Sequence, residues 1–305
     1  MRFASIFATG LWLIVPALWA ADLFRVATYN VENHLLQSNE TRPAKPQASR
    51  DKVRDHLLEL KADVVAVQEM GGAAGLADLQ KALRSGGLDY PHSEIAYAWD
   101  TNIQVAVLSR FPMTARRSHT NDSYLLFGKR FRVGRAFVEV DIRVNPEYSF
   151  TLMTTHLKSR RQVAEGDEAQ MREQEALLLR EKIDALLKAN PDANLVVLGD
   201  LNDVRDSKST RAVIGRGRNA LIDTRPAERN GDNLPNSNPR YDPRNITWTH
   251  FYGKEDTYSR IDYILLSRGM AREWIQEETY VFTAPNWGLA SDHRPVTAGF
   301  WAENR

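Results

Sequence analysis

The chain has 305 residues, of which 43% are hydrophobic and 26% are charged. This composition supports a large folded core and excludes an intrinsically disordered chain. Lys and Arg number 40 and Asp and Glu 39, so the formal net charge is only +1 and a nucleic-acid-binding surface would have to be a local one. The absence of cysteine excludes disulfides, thiolate zinc sites and cysteine nucleophiles, and leaves oxygen and imidazole ligands for a metal.

The first twenty residues, MRFASIFATGLWLIVPALWA, have the layout of a secretory signal peptide. A basic residue, Arg2, precedes an apolar stretch, and the small residue Ala20 stands at the expected cleavage position. We therefore expect residues 1–20 to be removed and the mature protein to be exported, to a periplasm or to the extracellular medium. The alternative is an uncleaved membrane anchor, because residues 3–19 nearly reach the length of a membrane span.

The mature chain, residues 21–305, contains no repeat and no interdomain linker, and we predict that it forms a single α/β domain. Short stretches rich in Val and Ile predict strands. The stretches at 63–70 and 194–201 are continuously apolar, which is typical of strands covered on both faces. The stretch at 135–143 alternates, which predicts one face that is more exposed to solvent. The predicted strands cover residues 24–31, 63–70, 103–110, 135–143, 150–157, 194–201, 260–267 and 295–301.

Two helices are predicted between these strands. The first covers residues 50–61 with Ser49 as its N-cap, and the second covers residues 168–189, which are rich in strong helix formers and are followed by Pro191. Residues 225–245 are rich in Asn, Pro, Arg and Asp and predict a long polar loop, a feature that is often functional. The apolar positions expected to face the core are Val53, Leu57 and Leu60 in the first helix and Leu178, Ile183 and Leu186 in the second.

Polar side chains stand where the apolar runs end. Burying a carboxylate or an amide is unfavourable unless the group is paired, hydrogen-bonded or bound to a metal. Several such residues at strand ends therefore predict a shared polar pocket at one edge of a sheet. The residues are Asn30, Glu69, His156, Asp200, Asn202, Asp262, Asp292 and His293.

The spacing of these residues adds chemical detail. Asp200 and Asn202 are two apart, so that in an extended segment they point to the same side and can present a carboxylate and an amide to one substrate atom. Asp292 and His293 are adjacent and would diverge, one toward a metal and the other toward a phosphate or its attacking water. Carboxylates, an amide and water form a hard-oxygen site that suits Mg²⁺, with Mn²⁺ or Ca²⁺ as alternatives.

Six short motifs that contain these residues resemble, in their order along the chain, the endonuclease/exonuclease/phosphatase superfamily. That superfamily includes pancreatic-type deoxyribonuclease, abasic-site endonucleases, bacterial sphingomyelinases and inositol polyphosphate 5-phosphatases. One such motif would occur by chance in many proteins, but six in order at strand ends are specific. The motifs are TYNVEN at 28–33, VQEM at 67–70, TTHLKSR at 154–160, GDLND at 199–203, SRIDYIL at 259–265 and SDHRPV at 291–296.

The resemblance implies an α/β fold, namely a four-layer α/β/β/α sandwich of two mixed β-sheets flanked by helices. It also implies hydrolysis of phosphoesters with a divalent metal ion. Carried over position by position, Asn30 and Glu69 would lie at the metal, with Asp292 near the same cluster.

The remaining motif residues would act on water and phosphate. The resemblance implies that Asp200 orients or deprotonates the attacking water and that Asn202 holds a phosphate oxygen. His293 would bind the phosphate or transfer a proton, with Asp262 fixing its tautomer. His156 matches the first histidine of the deoxyribonuclease and sphingomyelinase branches, where it contacts phosphate or assists the leaving group.

Each motif residue also has an ordinary structural interpretation as a cap, a turn or a surface charge. Lys158 and Arg160, directly after His156, are candidates for contacts with substrate phosphate, and solvated surface charge is the alternative. Five histidines without motif support, His34, His56, His92, His119 and His250, are assigned to surface or packing positions.

Taken together, these features predict an exported, divalent-metal-dependent phosphoesterase. The first hypothesis is a nuclease that hydrolyses phosphodiester bonds of DNA or RNA by in-line attack of a water activated by the metal and Asp200. A phospholipid hydrolase similar to sphingomyelinases and an inositol-phosphate phosphohydrolase are alternatives with the same chemistry. A further alternative is a binding module with the same fold and no catalytic activity. No stable protein partner is inferred.

Overall fold

A computed structural model of the protein describes residues 23–229 and 246–305. The predicted signal peptide and most of the predicted loop at 225–245 therefore lie outside the described residues. The helices are α1 (Gln47–Leu60), α2 (Gly72–Ser85), α3 (Glu168–Ala189), α4 (Lys208–Ile214) and α5 (Met270–Glu273), and two short 3₁₀ segments cover Gly217–Asn219 and Trp287–Leu289.

The strands in the first half of the chain are β1 (Leu23–His34), β2 (Val64–Met70), β3 (His92–Ala96), β4 (Gln104–Ser109), β5 (Met113–Arg116), β6 (Ser123–Leu126), β7 (Lys129–Arg132), β8 (Val138–Asn145) and β9 (Tyr148–His156). Those in the second half are β10 (Leu195–Asp200), β11 (Ile222–Asp223), β12 (Ala227–Glu228), β13 (His250–Tyr252), β14 (Thr257–Ser259), β15 (Asp262–Leu266), β16 (Trp274–Val281) and β17 (Val296–Trp301).

Most of these strands belong to two large mixed sheets. The seven-stranded sheet has the order β12-β16-β17-β1-β2-β4-β3, and the six-stranded sheet has the order β11-β15-β10-β9-β8-β5. β1 runs parallel to β2 and antiparallel to β17, while β10 runs parallel to β9 and antiparallel to β15. The pairs β6–β7 and β13–β14 form separate two-stranded ribbons.

Three clusters of buried apolar side chains separate four layers. The central cluster joins the inner faces of the two sheets through side chains such as Val26 and Val196. Leu57 of α1 packs on the outer face of the seven-stranded sheet, and Ile183 of α3 and Val213 of α4 pack on that of the six-stranded sheet. Each fully buried side chain of this size contributes about 1.5–3 kcal/mol. The predicted fold, a four-layer α/β/β/α sandwich, is confirmed.

The long predicted helix has the observed bounds of α3, and Asp167 caps it by accepting a hydrogen bond from the Gln170 N–H at 2.8 Å. Of its predicted core positions, Ile183 is confirmed, whereas Leu178 and Leu186 are each one position out, because charged side chains share that face with the apolar ones and obscure the pattern. The helix buries Leu179, Ile183 and Leu187 beside Arg172, Glu175 and Arg180, while Leu178 and Leu186 are only partly buried.

The N-cap prediction for α1 is wrong. The helix begins at Gln47, after Pro46, and Ser49 lies inside it. The Pro46 carbonyl accepts hydrogen bonds from the N–H groups of Ser49 and Arg50, both at 3.0 Å, so that helical bonding starts three residues earlier than the sequence indicated.

The strand predictions agree with the observed burial. β10 is buried along its whole length and β2 along nearly all of it, as their continuous apolar runs indicated. In β8, Asp141 is partly exposed and Arg143 exposed, as the alternation indicated, whereas Glu139 is buried. Among the described residues, no helix combines the length and the apolar character that crossing a bilayer requires.

The close approach of β9 and β10 sets the position of the polar residues that follow. A Cβ atom at Gly199 would lie 2.1 Å from the Thr155 carbonyl oxygen, and the backbone φ at Gly199 is +134°, so only glycine fits there. One residue later the register places Asp200 opposite His156 of β9 and opposite Asp262 of β15. Three neighbouring strands thus present three ionisable side chains at the same level.

Candidate functional site

The two sheets meet at this level through Asn30 near the end of the β1 ladder. Its side-chain Nδ2 donates to Asp200 Oδ2 at 3.0 Å, and it lies 3.4 Å from Glu69 Oε1 at the end of β2. The other oxygen of Glu69 accepts the Asn33 N–H at 2.8 Å. The structure therefore brings together the amide and two carboxylates that the sequence placed on separate strands.

Two imidazoles face the same oxygen of Asp200. His156 Nε2 lies 3.5 Å from Asp200 Oδ2, and His293 Nε2 lies 3.7 Å from it. Asp200 is buried, which raises its pKa to about 6, although the charge of His293 opposes this rise. A carboxyl group with such a pKa is suited to accept a proton near neutral pH.

His293 is held by a buried carboxylate. Its Nδ1 lies 2.8 Å from Asp262 Oδ2, which fixes the ring orientation and leaves Nε2 toward Asp200. The backbone is also fixed, because the Ser291 hydroxyl accepts the His293 N–H at 3.0 Å and donates to the Asn30 carbonyl at 2.7 Å. Burial opposes the imidazolium, but the charges of Asp262 and Asp200 outweigh it and hold the pKa of His293 well above its ordinary value.

His156 has the opposite electrostatic setting. It is buried, and its pKa lies well below the ordinary value because of burial and of the positive charges of Arg135 and His293. Its Nδ1 has no hydrogen-bond partner among the described residues. The site thus holds one neutral and one cationic imidazole beside a single carboxylate, and such a difference separates acid from base functions.

Asn202 adopts the left-handed conformation, with φ at +55°, directly after β10. Its backbone N–H donates to Asp200 Oδ1 at 2.8 Å, and its side-chain Nδ2 donates to the Leu157 carbonyl at 2.9 Å. A side-chain amide carries two N–H donors, so one remains for a substrate oxygen.

Positive φ angles concentrate around these residues. Nine non-glycine residues of the described chain have φ above zero, and four of them belong to the site segments: Glu32, Asn33, Glu69 and Asn202. Such conformations persist where surrounding contacts impose them, and they cluster at functional sites.

Arg135 and Glu175 support the loop after β9. The Arg135 guanidinium donates to the His156 carbonyl at 3.0 Å and also to the Leu157 carbonyl, the same oxygen that accepts the Asn202 amide. Glu175 of α3 accepts the Lys158 N–H at 2.6 Å. Sequence reasoning missed both residues, because neither lies at a motif position.

Lys158 and Arg160, the predicted phosphate contacts, have protein partners. Lys158 Nζ donates to the Arg161 carbonyl at 3.0 Å, and Arg160 donates to the Asn202 carbonyl and to Asp203 Oδ1, both at 3.1 Å. Arg160 therefore lies against the loop that carries Asn202, and a direct role of these two residues in phosphate binding stays a prediction.

His250, assigned from the sequence to a surface or packing position, is partly exposed and packs on a residue of the candidate site. Its ring lies 4.5 Å from that of His293, and its Nε2 is 3.6 Å from Asp292 Oδ2. An isolated backbone bridge pairs His250 with His293. No short motif surrounds His250, and only the pairing of β13 with the segment before β17 brings it to the site.

Asp292 and Glu32 form the outer rim. Asp292 Oδ1 lies 3.9 Å from His293 Nε2, and burial would raise the pKa of Asp292, but the nearby imidazoles of His250 and His293 lower it. Burial and the nearby Asp292 raise the pKa of Glu32. A cavity of about 650 Å³ opens beside these carboxylates and is lined by Phe251, Tyr252 and Trp287.

The residues present fit a divalent cation. Carboxylate oxygens of Glu69, Asp200 and Asp292 and the amide oxygen of Asn30 are hard donors of the kind Mg²⁺ and Mn²⁺ take. Candidate ligand atoms of His250, Asp292 and His293 lie within 4.8 Å of one another, as do those of Asp200, Asp262 and His293. Asp262 Oδ1 is buried without a hydrogen-bond partner among the described residues.

The sequence profile of the Endonuclease/Exonuclease/phosphatase family matches residues 27–293. None of the curated proteins with which the sequence was compared matches it.

Several solved structures share the fold. The human Nocturnin catalytic domain with bound sulfate anion is 14% identical, with a TM-score of 0.60 over 92% of this chain and 97% of that chain. Sphingomyelinase C from Streptomyces griseocarneus is 20% identical, with a TM-score of 0.58 over 92% of this chain and 100% of that chain. Truncated Caenorhabditis elegans TDP2 is 14% identical, with a TM-score of 0.57 over 92% of this chain and 98% of that chain. At these identities the likeness concerns the fold.

Proposed function

Because the chain belongs to the endonuclease/exonuclease/phosphatase family, we propose that it is an exported, divalent-metal-dependent phosphodiesterase that hydrolyses DNA or RNA. One observation carries the proposal. Asp200 lies within 4 Å of an amide from the opposite sheet and of two imidazoles of contrasting charge. An isolated structural carboxylate has no need of such surroundings, whereas hydrolysis of a phosphodiester needs both a base and positive charge at the phosphate.

In the proposed reaction Asp200 accepts a proton from the attacking water and orients it in line with the leaving oxygen. The cationic His293, oriented by Asp262, binds a non-bridging phosphate oxygen, and the free N–H of Asn202 donates to another. His156, which is neutral, lies on the far side of Asp200 from Asp262 and donates a hydrogen bond to the leaving oxygen, which takes its proton from solvent. Each such contribution to proton transfer is worth about 10²–10⁴-fold in rate.

The cation site of the proposal uses Asn30 and Glu69, with Asp292 at its edge. A bound divalent cation supplies Lewis acidity and neutralises charge on the phosphate. The oxygen donors, rather than thiolates, favour Mg²⁺ or Mn²⁺, with Ca²⁺ as a further alternative.

The test is a panel of substrates with chelator controls. Plasmid DNA, RNA, sphingomyelin and inositol phosphates are incubated with the purified mature protein, with EDTA, and with EDTA followed by excess Mg²⁺ or Mn²⁺. We expect nucleic acid to be cleaved, the cleavage to stop with EDTA and the metal to restore it. Inertness toward every phosphoester with and without metal would contradict the proposal and favour a binding module.

A second candidate is a phospholipid or inositol-phosphate hydrolase with the same catalytic groups. The observation that favours it is the cavity beside Asp292, whose aromatic side chains Phe251, Tyr252 and Trp287 could accept a substrate group other than a nucleotide. Turnover of sphingomyelin or inositol phosphates in the panel, without cleavage of nucleic acid, would select this candidate.

Export is the part of the proposal that rests on the sequence alone. We expect a mature N-terminus at Ala21 when the full-length protein is expressed in a bacterial host with a periplasm. N-terminal sequencing of the protein from the periplasmic and culture fractions identifies its first residue. A membrane-bound protein that retains residues 1–20 would instead identify the segment as an anchor.

A further inference from the structure

The β6–β7 arm, defined as residues 123–132, carries exposed apolar side chains without any internal contact to explain them. Of the large hydrophobic side chains in the described residues, the three most exposed are Phe127 at 70%, Trp99 at 64% and Leu125 at 62%. Two of these lie on the arm, and the third lies against it, because the Arg132 guanidinium stacks over the Trp99 ring at 4.7 Å.

The turn of the arm is strained where it is most exposed. Phe127 and Gly128 connect the two strands with φ angles of +50° and +74°. Hairpins of this type prefer Asn or Asp before Gly, since a bulky residue in the left-handed region costs free energy. Phe127 gains no burial in return, so folding does not account for a phenylalanine at this position.

The arm itself is firmly attached to the body of the protein. Tyr124 is buried and stacks on Phe131 with ring centroids 5.8 Å apart, and both pack against the cluster under α3. The alternation of the strands directs Leu125, Arg130 and Arg132 to the opposite face. The exposed face is therefore presented on a rigid support.

The cations of the arm have no carboxylate partners within residues 23–229 and 246–305. Lys129, Arg130 and Arg132 make no ion pair with any described residue, although most other arginines of the molecule are paired. A group of unpaired cations among exposed aromatic rings is typical of surfaces that bind single-stranded nucleic acid, where phosphates meet the cations and bases stack on the rings.

Arg132 of the arm lines a cavity that reaches the segment after β9. A cavity of about 350 Å³ begins at Trp99 and Arg132 and continues past Arg135 to Lys158, two residues after His156. From Arg132 to Lys129 the strand extends about 10 Å further, and the turn at Phe127 lies beyond it. A small phosphodiester cannot reach from His156 to the turn, but a polynucleotide can.

We infer that the β6–β7 arm and Trp99 bind a single-stranded segment of a nucleic-acid substrate beyond the scissile phosphate. The inference rests on the proposed nuclease function and deepens it by naming the substrate as a polymer. A membrane surface is the competing occupant, but only two apolar side chains project from the arm, and the cations continue into a concave cleft rather than along a plane.

Binding is measured by fluorescence anisotropy with a labelled single-stranded oligonucleotide of about 16 nucleotides, in EDTA so that no cleavage occurs. Trp99→Ala and Phe127→Asn should each weaken the Kd about tenfold. Arg130→Gln should reduce the slope of log K against log salt by about 0.7. Leu177→Ala and Lys188→Gln change exposed residues of α3 outside the arm and should leave both quantities unchanged.

Folding and catalysis are controlled separately. Asn tolerates the left-handed conformation, so Phe127→Asn should have a melting temperature equal to or above that of the wild type. Turnover of bis(4-nitrophenyl) phosphate with Mg²⁺ should be the same in every arm variant. A wild type that binds the oligonucleotide through the arm but hydrolyses no phosphodiester would contradict the nuclease proposal and leave the arm inference standing.

Two results overturn the inference. One is an unchanged Kd in both Trp99→Ala and Phe127→Asn. The other is co-sedimentation of the wild type with phosphatidylglycerol vesicles that is lost in Phe127→Asn while oligonucleotide binding stays intact, which would identify the arm as a membrane contact.

Discussion

The side-chain amide of Asn30 donates to Asp200 Oδ2 at 3.0 Å, across two sheets and 170 positions of sequence. This bond stabilises the carboxylate form of Asp200 in a site where burial favours the protonated form. The contact links the proposed metal site to the proposed base, so its removal should change both the rate and its pH dependence.

Activity should fall as the pH drops through the pKa of Asp200, because the proposed base must be unprotonated. That pKa is about 6, and a bound cation nearby moves the transition to the same pH or below it. Asn30→Ala removes a hydrogen bond to the carboxylate, which raises the pKa and moves the acidic limb of kcat/KM to higher pH. The measurement is a pH–rate profile on a small phosphodiester, with Asn102→Ala as control, and an unmoved limb would contradict the assignment.

Asp262→Asn should lower kcat at least about 100-fold, because His293 loses both its orientation and the charge that keeps it protonated. Since Asp262 raises the pKa of His293, its neutralisation lowers that pKa and moves the alkaline limb of the profile to lower pH. Asp141→Asn removes a carboxylate from β8, outside the site, and should leave both quantities alone. Near-wild-type turnover by Asp262→Asn would refute the proposed role.

Glu69→Gln should raise the Mg²⁺ concentration for half-maximal activity at least tenfold, because a charged oxygen donor is replaced by a neutral one. High Mg²⁺ should partly restore turnover. The measurement is activity against Mg²⁺ concentration after EDTA treatment, and Glu94→Gln, on β3 of the same sheet, is the control. An unchanged Mg²⁺ requirement would exclude Glu69 as a metal ligand.

His250→Ala should lower kcat/KM about tenfold, since it removes the ring packed on His293 and the partner of Asp292. His92→Ala changes a partly exposed histidine of β3 and should have no effect. If both variants retain full activity, His250 has only a packing role.

Stability should decrease on acidification because of buried neutral histidines. His56 is buried, and burial lowers its pKa from 6.5 to about 4, with its Nδ1 3.1 Å from the Tyr29 hydroxyl. The unfolded chain therefore binds the proton more readily, and stability is lost as the pH falls from about 6.5 to about 4. The measurement is the free energy of unfolding in urea at pH 7.5 and at pH 5.0. The loss between the two pH values should be about 2 kcal/mol smaller in His56→Phe than in the wild type. An equal difference in both proteins would assign the acid sensitivity elsewhere.

The sequence indicated the polar residues of the candidate site through local patterns. Apolar runs of strand length are visible in the local sequence. A polar residue at the end of such a run, such as Glu69 in VQEM or Asp200 in GDLND, is visible there too, without any long-range contact. The order of six such segments then indicated the family and the four-layer fold, which the structure confirms. The bounds of α3 followed from the same local preferences.

Tertiary structure decided what local pattern cannot encode. His250, Arg135 and Glu175 reach the site because segments from distant parts of the chain pack together there. The wrong N-cap of α1 and the errors in the buried face of α3 have a related cause. The Pro46 carbonyl starts α1, and Arg172, Glu175 and Arg180 are buried on α3, through partners that the local sequence does not specify. Sequence determined which segments become strands and which groups end them, whereas sheet pairing, through long-range hydrogen bonds and burial, determined which of those groups meet.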